Sequence, residues 1–98
     1  MSFIQIIDSR TKRFEEMSAL DEQYTKDTAG KGTYRRSIVC RDRNDPDRYL
    51  TLVFFDSHEE AMRNSELPET QALAEKMMAL VDGPPTFLDL DVVEDHAF

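Results

Sequence analysis

The order of predicted elements in this chain is that of a small α+β domain with the split-βαβ, ferredoxin-like topology. Four short segments are rich in β-branched and aromatic residues, and stretches with helical periodicity follow the first and the third of them. A chain of 98 residues buries about two thirds of its unfolded surface and supports one core. We therefore predict one domain over residues 1–98, in the order β-α-β-β-α-β, with an antiparallel sheet and a broken second helix.

The first strand and the first helix are predicted from opposite periodicities. Residues 3–8 form a short β-branched segment that is apolar on both faces. From about Thr11 to Thr28, apolar residues recur at helical spacing and acidic residues lie between them. The apolar positions are Phe14, Met17, Leu20 and Tyr24, and the acidic ones are Glu15, Glu16, Asp21 and Glu22. Gly30 and Gly32 end the helix.

The next two strands are predicted to form a hairpin. Residues 33–43 and 48–56 are strand-like, and the run NDPD at 44–47 has the residues of a turn. After the hairpin, Ser57 can cap a helix while the side chain of Glu60 returns a bond to the cap, as in a capping box. Pro68 ends that helix and starts another, predicted to run to Asp82 before a last strand over 86–94.

The third strand is apolar on both faces. Helices can pack on only one face of the sheet, so the other apolar face would be exposed to water. We predict that a second copy of the chain covers the face that carries Tyr49, Thr51, Val53 and Phe55. In the last strand, Leu88, Leu90 and Val92 are expected to face the helices, and Asp89 and Asp91 the opposite side. The alternative cover is a larger helical cap or the chain terminus.

Composition excludes several classes of function. The formal charge of −8 disfavours binding to nucleic acid or to an anionic membrane. The N-terminus lacks a basic leader, and no apolar run is long enough to span a bilayer, so we expect a soluble, cytoplasmic protein. Cys40 is the single cysteine and is expected to be a small buried hydrophobe, while His58 and His96 are too far apart for a recognised metal-binding spacing. No metal or other cofactor is predicted.

Two runs of the sequence, FDSHEEAM at 55–62 and SELPET at 65–70, resemble the dimeric α+β barrel superfamily, and in particular the antibiotic biosynthesis monooxygenase-like proteins. The resemblance extends over nearly the full length. It implies two ferredoxin-like sheets packed face to face and a pocket between each sheet and its helices. It also implies a small-molecule ligand, since the superfamily includes cofactor-free oxygenases, haem-degrading enzymes and regulatory ligand-binding domains.

Departures from the family pattern narrow what the resemblance implies. Its oxygenases and haem-degrading members use an Asn, a Trp and His residues around the pocket, and this chain has no Trp. A His that such members often carry near the position of Asn64 or Ser65 is also replaced. Haem degradation is therefore disfavoured, and Asn64 is the residue that retains a family-like polar role.

The candidate catalytic residues are Asn64, Tyr49, Arg36 and Asp89. The Asn64 amide or an arginine is expected to stabilise a substrate anion, and Tyr49 to position a phenolic ring. Asp89 and Asp91 can share a proton as acid and base, or can pair with Arg35 or Arg36 across the dimer, which is the interpretation favoured here. The expected function is cofactor-independent monooxygenation of an aromatic, polyketide-like substrate by a homodimer. The alternative is a non-catalytic dimerisation or ligand-sensing module.

Overall fold

The computed structural model describes residues 2–98 and has the predicted order of elements, with the broken helix present as two helices. The elements are β1 (Phe3–Arg10), α1 (Phe14–Asp27), β2 (Tyr34–Arg41), β3 (Arg48–Phe55), α2 (His58–Glu66), α3 (Pro68–Met78) and β4 (Thr86–Asp91). The four strands form one sheet in the order β2-β3-β1-β4, and all neighbours are antiparallel. The ferredoxin-like α+β fold is therefore confirmed.

The break between α2 and α3 follows from the residues at their ends. The Ser57 side chain accepts a hydrogen bond from the Glu60 backbone N–H at 3.2 Å and caps α2. The carboxylate of Glu60 pairs with Arg63 at 3.2 Å, so the structure forms one half of the predicted capping box. Leu67 is extended between the helices, and Pro68 occupies the first turn of α3.

Helix α3 and strand β4 both end earlier than predicted. Helix α3 ends at Met78 rather than at Asp82, because the chain tightens into a turn in which the Leu80 N–H bonds the Met77 carbonyl at 2.9 Å. The Leu80 carbonyl then accepts a hydrogen bond from the Thr11 hydroxyl at 2.6 Å, which ties this turn to the end of β1. Strand β4 ends at Asp91, where its pairing with Phe3 of β1 ends.

The predicted assignment of the two sheet faces is wrong. Tyr49 stacks on Phe14 of α1, with ring centroids 4.5 Å apart, and Phe55 is buried in a core cluster with Phe3 and Ala61 of α2. Tyr49, Thr51, Val53 and Phe55 therefore lie on the helix side. The other face carries Leu50, Leu52 and Phe54 of β3.

The predicted assignment of the two faces of β4 is also wrong, because β4 pairs with β1 in a register that follows the faces of β3. Asp89 is the register partner of Gln5 and Asp91 that of Phe3, so both aspartates lie on the helix side of the sheet. Leu88 and Leu90, predicted to face the helices, lie on the open face, with 50% and 43% of their surfaces exposed. No helix covers this edge strand, and all its residues are exposed.

The open face of the sheet is apolar across all four strands. Alternation and register place eight aliphatic or aromatic side chains on it: Ile4, Ile6, Ile38, Leu50, Leu52, Phe54, Leu88 and Leu90. Cys40 lies on the same face, opposite Leu50, and is exposed rather than buried as predicted. A contiguous apolar surface of this kind is typical of an interaction site.

Candidate functional site

The helix-facing side of the sheet is buried at its two ends and half-buried at its centre, and we call this half-buried strip between sheet and helices the cleft. Phe3 and Phe55 are buried at one end of the sheet, and Ser9 and Tyr49 at the other. Between these ends, the side chains that face the helices are only half-buried: Gln5, Ile7, Thr51 and Val53. The cleft continues toward β4, where Phe87 is 54% exposed.

Helix α1 spans this cleft from end to end. Phe14 at its start stacks on Tyr49, and the Thr28 hydroxyl, just beyond its end, accepts a hydrogen bond from the Tyr34 hydroxyl at 2.7 Å. Tyr34 pairs with Phe55, so the two anchors lie at opposite ends of β3. The helical rise from Phe14 to Thr28 is about 21 Å and the strand rise from Tyr49 to Phe55 about 20 Å. The matched lengths fix the helix along the strand.

Asn64 of α2 is buried at the Phe55 end of the cleft and connects three elements. Its side-chain oxygen accepts a hydrogen bond from the Thr33 N–H at 3.2 Å, and its amide nitrogen donates to the Tyr24 hydroxyl at 2.9 Å. The Tyr24 hydroxyl in turn bonds Thr70 of α3 at 2.7 Å. The Tyr24 ring stacks on Tyr34 at 5.8 Å. Asn64 therefore holds an aromatic wall in place.

The other candidate residues do not all lie together. Tyr49 is buried at the opposite end of the cleft, 8% exposed. Asp89 lies at the open edge, where it accepts a hydrogen bond from the Gln5 amide at 3.1 Å. Arg36 lies on the other face of the sheet, its guanidinium 5.5 Å from the centre of the Phe54 ring.

The predicted pairing of the aspartates with arginines is not seen within the chain. Arg35 bonds Asp56 at 2.7 Å, and this pairing lowers the pKa of the Asp56 carboxyl. A β-bulge between Tyr34 and Arg36 turns Arg35 out of the ladder toward that partner. A pairing of Arg36 with an aspartate of a second copy stays a prediction.

Sequence reasoning missed Asp21, which it counted among the acidic residues that lie between the apolar positions of α1. The side chain is half-buried and lies on the sheet-facing stripe of the helix, and burial raises the pKa of its carboxyl. Within residues 2–98 the Asp21 carboxylate has no hydrogen-bond donor and no ion-pair partner. The available signal was its spacing of seven residues from both Phe14 and Thr28, which places all three on one line of the helix.

Replacing Asp21 by asparagine is expected to raise the melting temperature at pH 7. The folded carboxyl has a raised pKa, so the folded state holds a proton that the unfolded state has released, starting near the ordinary value of 3.8. Wild-type stability therefore falls as the pH rises through that window, and the cost is complete above it. Thermal melts should show a gain for Asp21→Asn at pH 7 and none at pH 3. A variant that melts below wild type at pH 7 would contradict the unpaired state of this carboxylate.

Two surface pockets lie outside the cleft. One, of about 120 Å³, lies in the groove between α1 and α3 and is lined by residues that include Tyr24 and Leu73. The other, of about 240 Å³, lies beside Arg48 at the far end of β1. Arg48 there bonds Asp8 and Asp42, at 2.7 and 3.1 Å. Its hydrogen bond lowers the pKa of the Asp8 carboxyl, while the Asn44 backbone N–H, together with Arg48, lowers that of Asp42. Arg10, which also lines that pocket, pairs with Asp45, so ion pairs hold most of its charged groups and the cleft remains the candidate site.

Two further features bear on the chemistry of the described chain. The ring of His58, at the start of α2, packs edge-on against Phe3 at 5.2 Å while the residue stays exposed. Among residues 2–98, no three His, Cys, Asp or Glu side chains are grouped to hold a metal ion. In the same range, none of the helices is both long and apolar enough to cross a membrane.

Comparison with known proteins supports the fold. No protein-family model matches the chain, and no curated protein matches its sequence. Among solved structures, SnoaB, a cofactor-independent oxygenase from Streptomyces nogalater, superposes with a TM-score of 0.80 at 13% identity, over 96% of this chain and 95% of that one. A putative antibiotic biosynthesis monooxygenase from Caulobacter crescentus has a TM-score of 0.82 at 14% identity, over 95% and 91%.

A third similar structure is a putative antibiotic biosynthesis monooxygenase from Chloroflexus aurantiacus, with a TM-score of 0.70 at 19% identity, over 99% and 98% of the two chains. At these identities the comparison establishes the shared fold. The chain has the ferredoxin-like fold of the antibiotic biosynthesis monooxygenase-like proteins, as the resemblance of its sequence implied.

Proposed function

We propose that this protein is a homodimeric, small-molecule-binding α+β barrel that oxygenates an aromatic, polyketide-like phenol without a metal or flavin. The observation that carries the proposal is the half-open cleft with a hydrogen-bonded amide at its aromatic end. Such clefts, mostly apolar with a few fixed polar groups, are typical ligand sites. The fold shared with the cofactor-independent oxygenase SnoaB supports the reaction class.

The proposed chemistry balances without a bound cofactor. An anthrone-type substrate loses the two hydrogens of its methylene group, and dioxygen supplies one oxygen atom to the new ketone and one to water. The reaction begins when the substrate gives up a proton, and the resulting anion is the reductant of dioxygen. The protein's tasks are to hold the ring, accept that proton and stabilise the anion.

Three of the predicted residues have roles in this proposal. The Asn64 amide, aligned by Tyr24, is the hydrogen-bond donor to the substrate anion, at a distance of about 3 Å. Tyr49 closes the far end of the cleft against the ring, and Asp89 lines the open edge. Arg36 lies on the open face and is proposed to act at the dimer interface.

Oxygen uptake tests the proposed reaction. Metal-stripped protein is incubated with a panel of hydroquinones and anthrones, and wild type is compared with Asn64→Asp. This variant can still accept the Thr33 N–H bond but loses its own donor and adds a negative charge beside the developing anion. We expect a decrease of about 100-fold or more in kcat.

The chain offers one matched control, since its other asparagine lies in the exposed turn after β2. Asn44→Asp adds the same charge at that turn and should leave the rate unchanged. Melting curves of both variants exclude loss of fold. Equal rates for wild type and Asn64→Asp would remove Asn64 from the mechanism, and no uptake above buffer with any compound would remove the oxygenase proposal.

The proposed homodimer forms through the open face of the sheet, not through the face first predicted. The apolar side chains on that face otherwise contact water, and Leu88 and Leu90 are about half exposed. A second copy related by a two-fold axis presents the same surface and covers it symmetrically. The interface would bring Cys40 and Arg36 into contact with the partner sheet.

A ligand-sensing module without catalysis is the second candidate. It is favoured by one observation: both polar ends of the Asn64 side chain already have partners within the fold. An amide with these hydrogen bonds holds α2, α1 and β2 together, and it does not need a substrate to complete its hydrogen bonding. Tight binding of an anthraquinone by a protein that takes up no oxygen with the panel would support this candidate.

A further inference from the structure

Asp21 is the charged side chain on the sheet-facing stripe of α1. Phe14 and Thr28 lie seven residues to either side of it, which is close to two helical turns. Both of these residues contact the sheet, through Tyr49 and Tyr34 respectively. The line of the helix between two anchored residues must face the same way, so Asp21 faces the sheet.

Its position along the sheet follows from the same lengths. The helix and β3 rise by nearly equal amounts between the two anchors, so the midpoint of α1 lies over the midpoint of β3. On the helix side of β3 that midpoint lies between Thr51 and Val53, and the neighbouring strand presents Gln5 and Ile7 there. These four side chains are the half-buried centre of the cleft.

The groups around this carboxylate leave it without a counter-charge. The helix side of the sheet carries these titratable side chains: Tyr34 and Tyr49 at the two ends of the cleft, Arg41 beside Tyr49, and Asp89 and Asp91 on the edge strand. Arg41 is exposed and forms no ion pair with Asp21. Helix α3 contributes Glu69 and Lys76, which line the outer groove between α1 and α3. Helix α2 carries His58 and Glu60 at the Phe55 end, and Glu60 is paired with Arg63.

A half-buried carboxylate without a partner has lost part of its hydration, and a neutral hydrogen-bond donor on a ligand replaces the lost water contacts. Burial raises the pKa of Asp21, which makes the group a stronger proton acceptor than an exposed aspartate. A phenolic hydroxyl is a neutral donor of suitable acidity, and the aromatic walls of the cleft suit its ring.

We propose that Asp21 is the hydrogen-bond and proton acceptor for the hydroxyl of a phenolic ligand held in the cleft, an inference that rests on the proposed function. In the proposed step the ligand's O–H bond breaks and the proton passes to an Asp21 carboxylate oxygen. The electron pair stays on the ligand oxygen. Dioxygen, the co-reactant of the proposed reaction, then oxidises the methylene carbon of this anion to a ketone and gives its second oxygen atom to water. Asp21 returns its proton to the phenolate oxygen of the product.

Binding tests the recognition without requiring turnover. The probes are 2-hydroxyanthraquinone, which carries a free phenolic hydroxyl, and 2-methoxyanthraquinone, which lacks the proton, each titrated by fluorescence. A hydrogen bond to a charged acceptor predicts that wild type prefers the hydroxyl compound by about 10-fold. The preference should weaken as the pH is lowered and Asp21 becomes protonated. Asp21→Asn should lose both the preference and its pH dependence, whereas Asp27→Asn, on the exposed side of the same helix, should keep them.

Activity separates this inference from the proposed function. With 1,8-dihydroxyanthrone as substrate, we expect kcat/KM of wild type to rise with pH as Asp21 ionises, and Asp21→Asn to be slower by about 100-fold with that inflection absent. A hydroxyl preference without any oxygen uptake would overturn the oxygenase proposal and leave Asp21 as the ligand's acceptor. Oxygen uptake that Asp21→Asn does not change would overturn the role of Asp21 and leave the oxygenase. Equal affinity for the two anthraquinones, or no binding of either, would also overturn the role of Asp21.

Discussion

Leu52→Asp is expected to convert the proposed dimer into a folded monomer. Leu52 lies at the centre of the open face, with Ile6 beside it on β1 and Ile38 on β2. A carboxylate there would be buried against the apolar open face of the second copy in the dimer, which costs several kcal/mol. In the monomer the same carboxylate is hydrated, so the fold survives. Sedimentation velocity at micromolar concentration should show the mass halved.

The control for this variant is Val93→Asp. Val93 is 89% exposed beyond the end of β4, so the same chemical change there should leave the mass of the protein as it is in wild type. Circular dichroism of both variants checks that the helices persist. A wild-type protein that is monomeric at this concentration, or a Leu52→Asp variant that keeps the wild-type mass, would place the interface elsewhere or remove it.

The elements of this fold were predictable because they depend on residues close in sequence. Three signals depend only on residues near them in the sequence: the cap at Ser57, the proline at position 68 and the turn at 44–47. They can therefore be recognised without the tertiary structure. The lengths of α3 and β4 were less predictable from the sequence. The turn that ends helix α3 is tied to β1 by the hydrogen bond from Thr11 to the Leu80 carbonyl, a contact between residues distant in sequence.

The faces of the sheet were not predictable from alternation. Both faces of β3 are apolar, so a period of two residues separates the two sets but does not say which one the helices cover. The choice is made by Phe14, whose ring stacks on Tyr49. The aliphatic side chains of β4 were predicted to face the helices because a sheet usually has one apolar face, which packs in the core. This sheet has a second apolar face, the open one, so the assumption fails.

The candidate site was predictable in part. Asn64 is a polar residue in a helix with few apolar positions, and the resemblance to a known family identified it before its buried contacts were visible. Asp21 was passed over because an acid beside Glu22 on a charged helix is usually solvated. Its register with Phe14 and Thr28 was readable, but only contacts with the sheet show that this line of the helix is the inner one.

Asn64→Ala is expected to destabilise the protein by roughly 2–4 kcal/mol, independently of any catalysis. The substitution removes an acceptor from the Thr33 N–H and a donor from the Tyr24 hydroxyl. The Thr33 N–H is left without its acceptor at a site that is 7% exposed, which costs about 1–3 kcal/mol. The Tyr24 hydroxyl keeps its bond to Thr70, so its loss is that of one hydrogen bond, about 1 kcal/mol. Urea denaturation followed by circular dichroism measures the change, with Asn44→Ala as the exposed control.

A double-mutant cycle with Tyr24→Phe identifies which bond carries the loss. If the amide stabilises the fold through Tyr24, removing the hydroxyl first should reduce the cost of Asn64→Ala by about 1 kcal/mol or more. The Thr33 bond is unaffected by that second change, so the remaining cost belongs to the anchoring of β2. Additive effects of the two substitutions would mean that the Tyr24 bond contributes little. In that case the Asn64 amide nitrogen would be held only weakly by the fold, and its donor would be available to a ligand, which strengthens the catalytic interpretation of this residue over the structural one.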